Sequence, residues 1–402
     1  MSDGARAVIA GIGDSGFWRR GLSGRSEYRL ALDAILNACT DAGIDPKQID
    51  GVTSFADESS TVTAIVDGLG LTDFRYSMQP FDASGGGMAA ALDQAAMAIE
   101  TGRANYVVFF RGISMSGDGR YGRPGGYKGE KAGTGRNVSY SPTYWPGMVG
   151  SFNAPFGASV PAQHWALQAM KHCQLYGTTG PQLAEVAVAA RLHAMRNPRA
   201  LKRDPLSVDD HQNSRFIAEP LRLLDCCMES DAAGAVILTS RDRAMDCRSP
   251  GVQVLSSVTG TTVGMSTIHG YSPYPSANLR SVATRLWGEA GVHPEDVDVA
   301  QIYDHFTSHV LMAFEDLGFC DIGEGGPFAE SGALRWPHGS IPTNTSGGQL
   351  SEVYTVGISL LIEAVRQLRG TSTCQVEGAE TALVTSGGGS CPTGAMVLGK
   401  VR

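Results

Sequence analysis

Asp41-Ala42-Gly43-Ile44-Asp45-Pro46-Lys47-Gln48-Ile49-Asp50 and Glu289-Ala290-Gly291-Val292-His293-Pro294-Glu295-Asp296-Val297-Asp298 are two copies of one pattern. Each follows a helical periodicity, Leu30–Cys39 in one copy and Leu279–Trp287 in the other. Glycine ends the helix and a proline one turn later prevents its continuing. A short strand follows, Gly51–Phe55 or Val299–Tyr303. Self-similarity at this scale predicts a duplicated fold, and the duplication extends both ways. Ala7–Gly11 and Val252–Ser256 each open a half as a strand. Later come two glycine elbows, Ser84-Gly85-Gly86 and Ser346-Gly347-Gly348. The first precedes a helix with Met88, Leu92, Ala95 and Ile99 on one face, the second a helix with Ile358, Leu361, Ile362, Val365 and Leu368. Strands return at Tyr106–Phe110 and Ala382–Thr385. The predicted halves are 1–245 and 250–402, with an insertion at 113–224 in the first.

The bulk chemistry narrows the function. The chain has 402 residues, 42% of them hydrophobic and 18% charged, and a net charge of -8. The balance is acidic and no basic run appears, which argues against a nucleic-acid surface. The apolar runs Tyr106–Phe110 and Ala233–Leu238 are too short to span a bilayer. Met1-Ser2-Asp3-Gly4 does not open a secretory signal. The eight cysteines form no C-x-x-C and no zinc-spaced cluster, so the expectation is no bound metal and a reducing, cytoplasmic setting. Gly11-Ile12-Gly13-x-x-Gly16 is a weak dinucleotide signal that the repeat explains better. Gly117–Arg136, with Arg120, Arg123, Lys128, Lys131 and Arg136 among glycines, reads as a loop. Its cations suit CoA phosphates or an acidic partner as well as a plain solvated surface.

A duplicated α/β half with a glycine elbow at the head of a buried helix resembles the thiolase superfamily. The chain is most similar there to the sterol-carrier-protein-x and lipid-transfer-like branch. Four segments carry the resemblance. They are Asn153-Ala154-Pro155-Phe156-Gly157 with Tyr176-Gly177-Thr178-Thr179; Pro220–Cys227 leading into Ser230-Asp231-Ala232-Ala233-Gly234-Ala235; Tyr303-Asp304-His305-Phe306-Thr307; and Asn344-Thr345-Ser346-Gly347-Gly348 followed by Tyr354-Thr355-Val356-Gly357. The resemblance implies an α/β, duplicated, five-layered α-β-α-β-α fold with an inserted loop domain. It also implies a homodimer.

The departures from the family pattern are informative. Asp82 stands at the nucleophilic cysteine position, Tyr354 replaces the activating histidine, and Tyr303 replaces the first histidine of the branch's His-Asp-Cys-Phe. Thr385 and Ser386 stand where the second cysteine falls, and Cys391 lies a few residues too late. Thioester exchange needs an activated thiolate beside a base, and neither partner is present. Two tyrosines at these sites resemble the steroid side-chain-cleaving aldolases of this branch. Those cleave a β-hydroxyacyl-CoA by a retro-aldol reaction, together with a zinc-ribbon/OB-fold partner protein. The resemblance thus implies a lyase subunit that takes an acyl-CoA and yields a ketone and a shortened acyl-CoA such as propionyl-CoA. By the same resemblance it binds no covalent cofactor, zinc belongs to the partner alone, and the assembly is α2β2.

Retro-aldol cleavage needs a base for the β-hydroxyl proton, stabilisation of the thioester enolate, and an acid for its carbon. Tyr303 is assigned as base and Tyr354 as donor; the reverse assignment serves the same chemistry. A free phenol titrates near pH 10, so service as a base at pH 7 requires about 4 kcal/mol of help. His305, expected on the same side of a continuing strand, is the nearest cation in sequence. Backbone amides at Ser84, Gly85, Gly347, Gly348 and Gly388 are expected to hold the thioester oxygen. Asp304 reads as a cap for the helix from Phe306, and Asp82 as a partner of the elbow backbone. Two other readings remain: a non-catalytic acyl-CoA or lipid-binding protein, and a Claisen-type acyltransferase using Cys391.

Overall fold

A computed structural model of the protein describes residues 6–54, 58–80, 86–115, 154–158, 160–261, 275–387 and 392–401. Asp82, Ser84, Gly85, Gly388, Cys391 and the 117–136 stretch lie outside the described residues.

The chain opens with β1 (Val8–Arg19) and α1 (Glu27–Ala42). Ser26 caps α1 by accepting from the Arg29 amide, and Leu30, Ala34, Ile35 and Ala38 give the helix one buried face. Gly43 ends it at φ 74°, a left-handed conformation that favours glycine. A 3-10 turn at Pro46–Gln48 leads to β2 (Gly51–Ser54), α2 (Val62–Leu69), β3 (Tyr76–Met78), α3 (Gly87–Glu100) and β4 (Tyr106–Ser114). In the inserted stretch lie α4 (Pro161–Tyr176), α5 (Gly180–Ala194), α6 (Val208–Gln212), β5 (Phe216–Ala218) and β6 (Leu221–Arg222). Next come β7 (Ser230–Thr239) and α7 (Arg241–Ala244).

The pattern then recurs. After β8 (Val252–Gly260), α8 (Arg280–Ala290) ends on Gly291 at φ 71°, and a second 3-10 turn, Pro294–Asp296, precedes β9 (Val299–Gln301). The remaining elements are α9 (Thr307–Leu317), α10 (Gly325–Glu330), α11 (Gly348–Ser351), α12 (Ile358–Arg369), β10 (Thr381–Ser386) and β11 (Thr393–Lys400).

The strand order is β3-β2-β4-β7-β1-β8-β11-β10-β9. β1 meets β8 through two residue pairs, Val8 with Gln253 and Ile9 with Val252, so the array divides there into one sheet from each half. The helices α3 and α12 lie between the sheets. Met88 and Leu92 share a core with Ile358 and Leu361, with Phe109 and Leu238 of one sheet, and with Val384 and Leu398 of the other. Outside, α1 covers Val108, Phe110 and Ile237, while α8 and α9 cover Leu383 and Val397. These are the five layers that the family resemblance implies. Each fully buried large aliphatic or aromatic side chain contributes on the order of 1.5–3 kcal/mol.

Two local features depart from the expectation. β9 stops at Gln301 because Ile302 is paired by a side chain instead of a strand. Its amide donates to Asn344 Oδ1 (2.7 Å) and its carbonyl accepts from Asn344 Nδ2 (2.9 Å). The second elbow also does not run straight into one long helix. It opens the single turn of α11, then Val356 (φ 56°) and Gly357 (φ 97°) break the chain before α12. A β-branched residue at positive φ is a strained position. Tyr354 therefore sits in the break between α11 and α12.

Candidate active site

Tyr303 follows β9, and its amide donates to Thr385 Oγ1 on β10 (2.8 Å). The ring packs over Gly357, where an added Cβ would lie 3.1 Å from Tyr303 and 3.2 Å from Met88 of α3. This glycine is required twice, by its φ of 97° and by that contact. Tyr354 is held by its backbone: the amide donates to Ser230 Oγ (3.0 Å) while the Ser230 hydroxyl donates to the Tyr354 carbonyl (2.8 Å). Ser230, at the start of β7, thus fixes the tyrosine in the break.

The two phenols meet. Tyr303 and Tyr354 are 4% and 7% exposed, and their hydroxyl oxygens lie 3.4 Å apart. That is long for an O–H···O bond. The two hydroxyls are nonetheless neighbours, and either can be the donor.

His305 joins them from the same turn. Its ring centroid is 5.2 Å from that of Tyr303, 4.9 Å edge-on from Trp165 of α4, and 5.0 Å from His309. The strand expected to carry His305 beside Tyr303 has ended; the turn into α9 achieves the proximity instead. The turn is held from two sides: Cys227, just past the inserted stretch, donates its amide to the His305 carbonyl (2.9 Å), and Trp165 of the inserted stretch stacks on Phe306. His309 is buried, and desolvation lowers its pKa to about 3, with the Gly387 backbone pulling the other way. It is therefore neutral.

Asp304 caps a helix, but not the one expected. α9 has Phe306 at its cap with no side-chain bond. The Asp304 carboxylate instead accepts from the amides of Gln349 (2.9 Å) and Leu350 (3.3 Å), at the head of α11. Burial pushes its pKa up to about 6 against the pull of those amides. This changes the role of the second elbow. The Gly347 amide donates to the Asn344 carbonyl (2.8 Å), and Gln349 and Leu350 are taken by Asp304. Gly348, at φ 57°, has no room for a Cβ, which would lie 2.2 Å from Asp304 Oδ2. Gly347 and Gly348 shape the turn that presents Tyr354, and the Gly347, Gln349 and Leu350 amides already donate within it.

The first elbow meets the other glycine turn. A Cβ on Gly387 would lie 2.9 Å from the Gly86 Cα, and one on Gly86 would strike the Pro392 carbonyl. Ser386 Oγ donates to the Gly86 carbonyl (3.2 Å) and accepts from the Ala89 amide (3.2 Å). Thr385 and Ser386 thus serve as tethers, one for Tyr303 and one for the head of α3. The sequence marks both as replacements without revealing this use; paired hydroxyls at a strand end were the available signal. Ser230 and Trp165 give no sequence signal as supports because their partners are remote along the chain.

Cysteine chemistry is not poised among the described residues. Burial pushes the Cys39, Cys226, Cys320 and Cys374 thiols up to about 12, and Cys227 well above its usual value. No group of three or more His, Cys, Asp or Glu side chains among them is arranged to hold a metal ion. A cleft of about 430 Å³ between β1, α1 and the end of α12 lies apart from the tyrosines. Its arginines are already paired, Arg366 with Asp14 (3.0 Å) and Arg369 with Asp41 (2.7 Å).

The chain is 39% identical over 400 residues to the 17-hydroxy-3-oxo-4-pregnene-20-carboxyl-CoA lyase of Mycobacterium tuberculosis, covering 98% of this chain and 99% of that one. It is 37% identical over 402 residues to the steroid side-chain-cleaving aldolase of Thermomonospora curvata, covering 98% of each. The chain belongs to the thiolase-like aldolases. The aldolase is similar in structure to the solved Ltp2-ChsH2(DUF35) aldolase, with a TM-score of 0.87 and 36% identity, covering 99% of this chain and 98% of that one. Residues 260–400 match the thiolase C-terminal domain-like family. The aldolase is accordingly a carbon–carbon lyase on a thiolase fold, and no helix among its described residues is long and apolar enough to cross a membrane.

Proposed function

We propose that this aldolase cleaves a steroid β-hydroxyacyl-CoA between the hydroxyl-bearing carbon and the thioester α-carbon, using Tyr303 and Tyr354. With the hydroxyl on C17 and the thioester carried on C20, the products are a 17-ketosteroid and propionyl-CoA. The single observation behind this reading is the meeting of the two phenols, 3.4 Å apart, where the thiolase pattern has its histidines. Tyr303 takes the hydroxyl proton, the carbon–carbon bond breaks, and the electron pair becomes the thioester enolate. Tyr354 then protonates the α-carbon, and the proton gained by Tyr303 returns through the paired hydroxyls. The neighbouring Tyr354 hydroxyl stabilises a Tyr303 phenolate as a hydrogen-bond donor, with His305 beside it as support.

The thioester oxygen is assigned to the backbone amides of Ser84, Gly85 and Gly388, which belong in sequence to two glycine turns. Gly86 and Gly387 bring these two turns into contact. No covalent intermediate is needed, so the missing cysteine is no obstacle.

Further parts of the same proposal are a cytoplasmic setting, the halves 1–245 and 250–402 with the insertion at 113–224, and a homodimer within an α2β2 complex. The second subunit is a zinc-ribbon/OB-fold protein that carries the zinc. The sheet edge β3 supports the homodimer, because Met78 is 40% exposed there and β3 pairs on one side, with β2. The partner reading is supported by the ChsH2(DUF35) protein named with the similar structure. Tyr354→Phe tests the reaction: turnover should fall by about 10²–10⁴-fold with acyl-CoA binding retained. Wild-type turnover in this variant would exclude the mechanism, and no turnover in any variant would favour a lipid-binding protein.

A further inference from the structure

Glu352 lies two residues before Tyr354, is 0% exposed, and directs its carboxylate to partners other than the phenols. Both of its oxygens are gripped. Oε2 accepts from the Ser346 hydroxyl (2.6 Å), which belongs to the same elbow. Oε1 accepts from Asn197 Nδ2 (2.9 Å), which follows α5 in the inserted stretch, and the same Asn197 amide group also reaches the Ser346 carbonyl (3.0 Å). The backbone repeats the connection, because the Leu201 amide donates to the Glu352 carbonyl (3.0 Å) and the Lys202 amide to the Ser351 carbonyl (3.0 Å). One side chain therefore closes the elbow on itself and bolts it to the insertion, just ahead of the strained break that carries Tyr354.

A buried carboxylate is a costly means of bolting a turn unless its place matters. The charged groups facing it come from every neighbouring element. Arg199 approaches to 3.5 Å from the inserted stretch, Arg366 and Glu363 belong to α12, and Asp14 of β1 pairs with both arginines. The set is balanced by shared partners, with no cation committed to Glu352 alone.

We propose that Glu352 is a positioning residue for Tyr354: its gripped carboxylate fixes the turn that presents the phenol to Tyr303. This rests on the reading of Tyr303 and Tyr354 as the reacting pair. The loss is expected in the rate of the bound complex, because a displaced phenol costs turnover rather than substrate affinity. Gln keeps the carbonyl oxygen for Asn197 and offers an N–H to the Ser346 oxygen, so it should preserve the grip without the charge.

The experiment measures kcat and KM for propionyl-CoA release by the complex with its partner subunit, for wild type, E352A, E352Q, S346A and Y354F. For E352A, kcat should fall about 30–100-fold with KM within about threefold, and S346A should fall in the same direction by about tenfold. E352Q should stay within about threefold of wild type. If E352A does not fold, S346A decides, because it releases one oxygen of the grip and leaves the carboxylate. Wild-type kcat in E352A and S346A alongside a dead Y354F overturns the positioning role alone. So does E352Q failing as badly as E352A, which would assign the effect to charge. A Y354F variant at wild-type rate removes the two-tyrosine reading, and this proposal with it.

Discussion

At the scale of single residues, the exchange of two histidines for two tyrosines changes which steps the site can perform. A histidine beside a cysteine makes a thiolate; two phenols at 3.4 Å can hold, pass and return one proton. In the proposed mechanism the pair acts as a unit, so Tyr303→Phe, Tyr354→Phe and the double variant should show similar losses rather than multiplied ones. Steady-state rates of the three variants check this; losses that multiply would mean two independent contributions. Glu352 gives a second residue-scale prediction. Burial raises its pKa from 4.5 to about 7, so the folded state holds a proton that the unfolded chain releases. The associated stability is fully present below pH 4.5 and is lost as pH rises to about 7, up to about 3 kcal/mol. E352Q should therefore lose less stability than wild type between pH 5 and pH 8 in urea titrations; parallel curves would contradict the assignment. The tyrosines were legible in the sequence because each occupies a motif position. Glu352 was not, because its partners Asn197 and Arg199 come from the insertion, and nothing local distinguishes it from a surface carboxylate.

Elements are where sequence reading succeeded most and also missed most. Glycine after a helix and proline a turn later marked the ends of α1 and α8, since those signals are local. β9 and the region from α11 to α12 were misread because their geometry is decided by side chains from elsewhere. Asn344 ends the strand, Asp304 caps α11, and Ser230 anchors the break. Asp304→Ala leaves the Gln349 and Leu350 amides without their acceptor, and should cost about 2–3 kcal/mol of stability by chemical denaturation. An unchanged midpoint would show that the cap is dispensable. Gly357→Ala tests the break itself. An alanine there meets both a φ of 97° and the Tyr303 ring at 3.1 Å, so stability should fall by about 1–3 kcal/mol. Its kcat should fall further than the folded fraction accounts for.

Across the whole molecule, duplication supplies two helices, α3 and α12, between two sheets, and the chemistry gathers where their heads approach. The insertion closes the arrangement: Trp165 lies on His305 and Asn197 grips Glu352. The duplication was readable from spacing alone, whereas this closure depends on contacts between residues more than a hundred positions apart. At this scale the enzyme should be indifferent to thiol alkylation. Its described buried thiols are held protonated, so iodoacetamide should leave turnover unchanged, whereas inactivation by iodoacetamide together with loss of turnover in Cys391→Ala would restore the Claisen reading. The most direct test of the two-tyrosine cleavage is mass-spectrometric quantification of both products from a 17-hydroxy steroid-20-carboxyl-CoA, with the partner subunit present, for wild type and Tyr354→Phe. The mechanism predicts equal amounts of 17-ketosteroid and propionyl-CoA from wild type and a loss of both in the variant. Substrate bound but unchanged by the wild-type complex, or equal product from Tyr354→Phe, would contradict it.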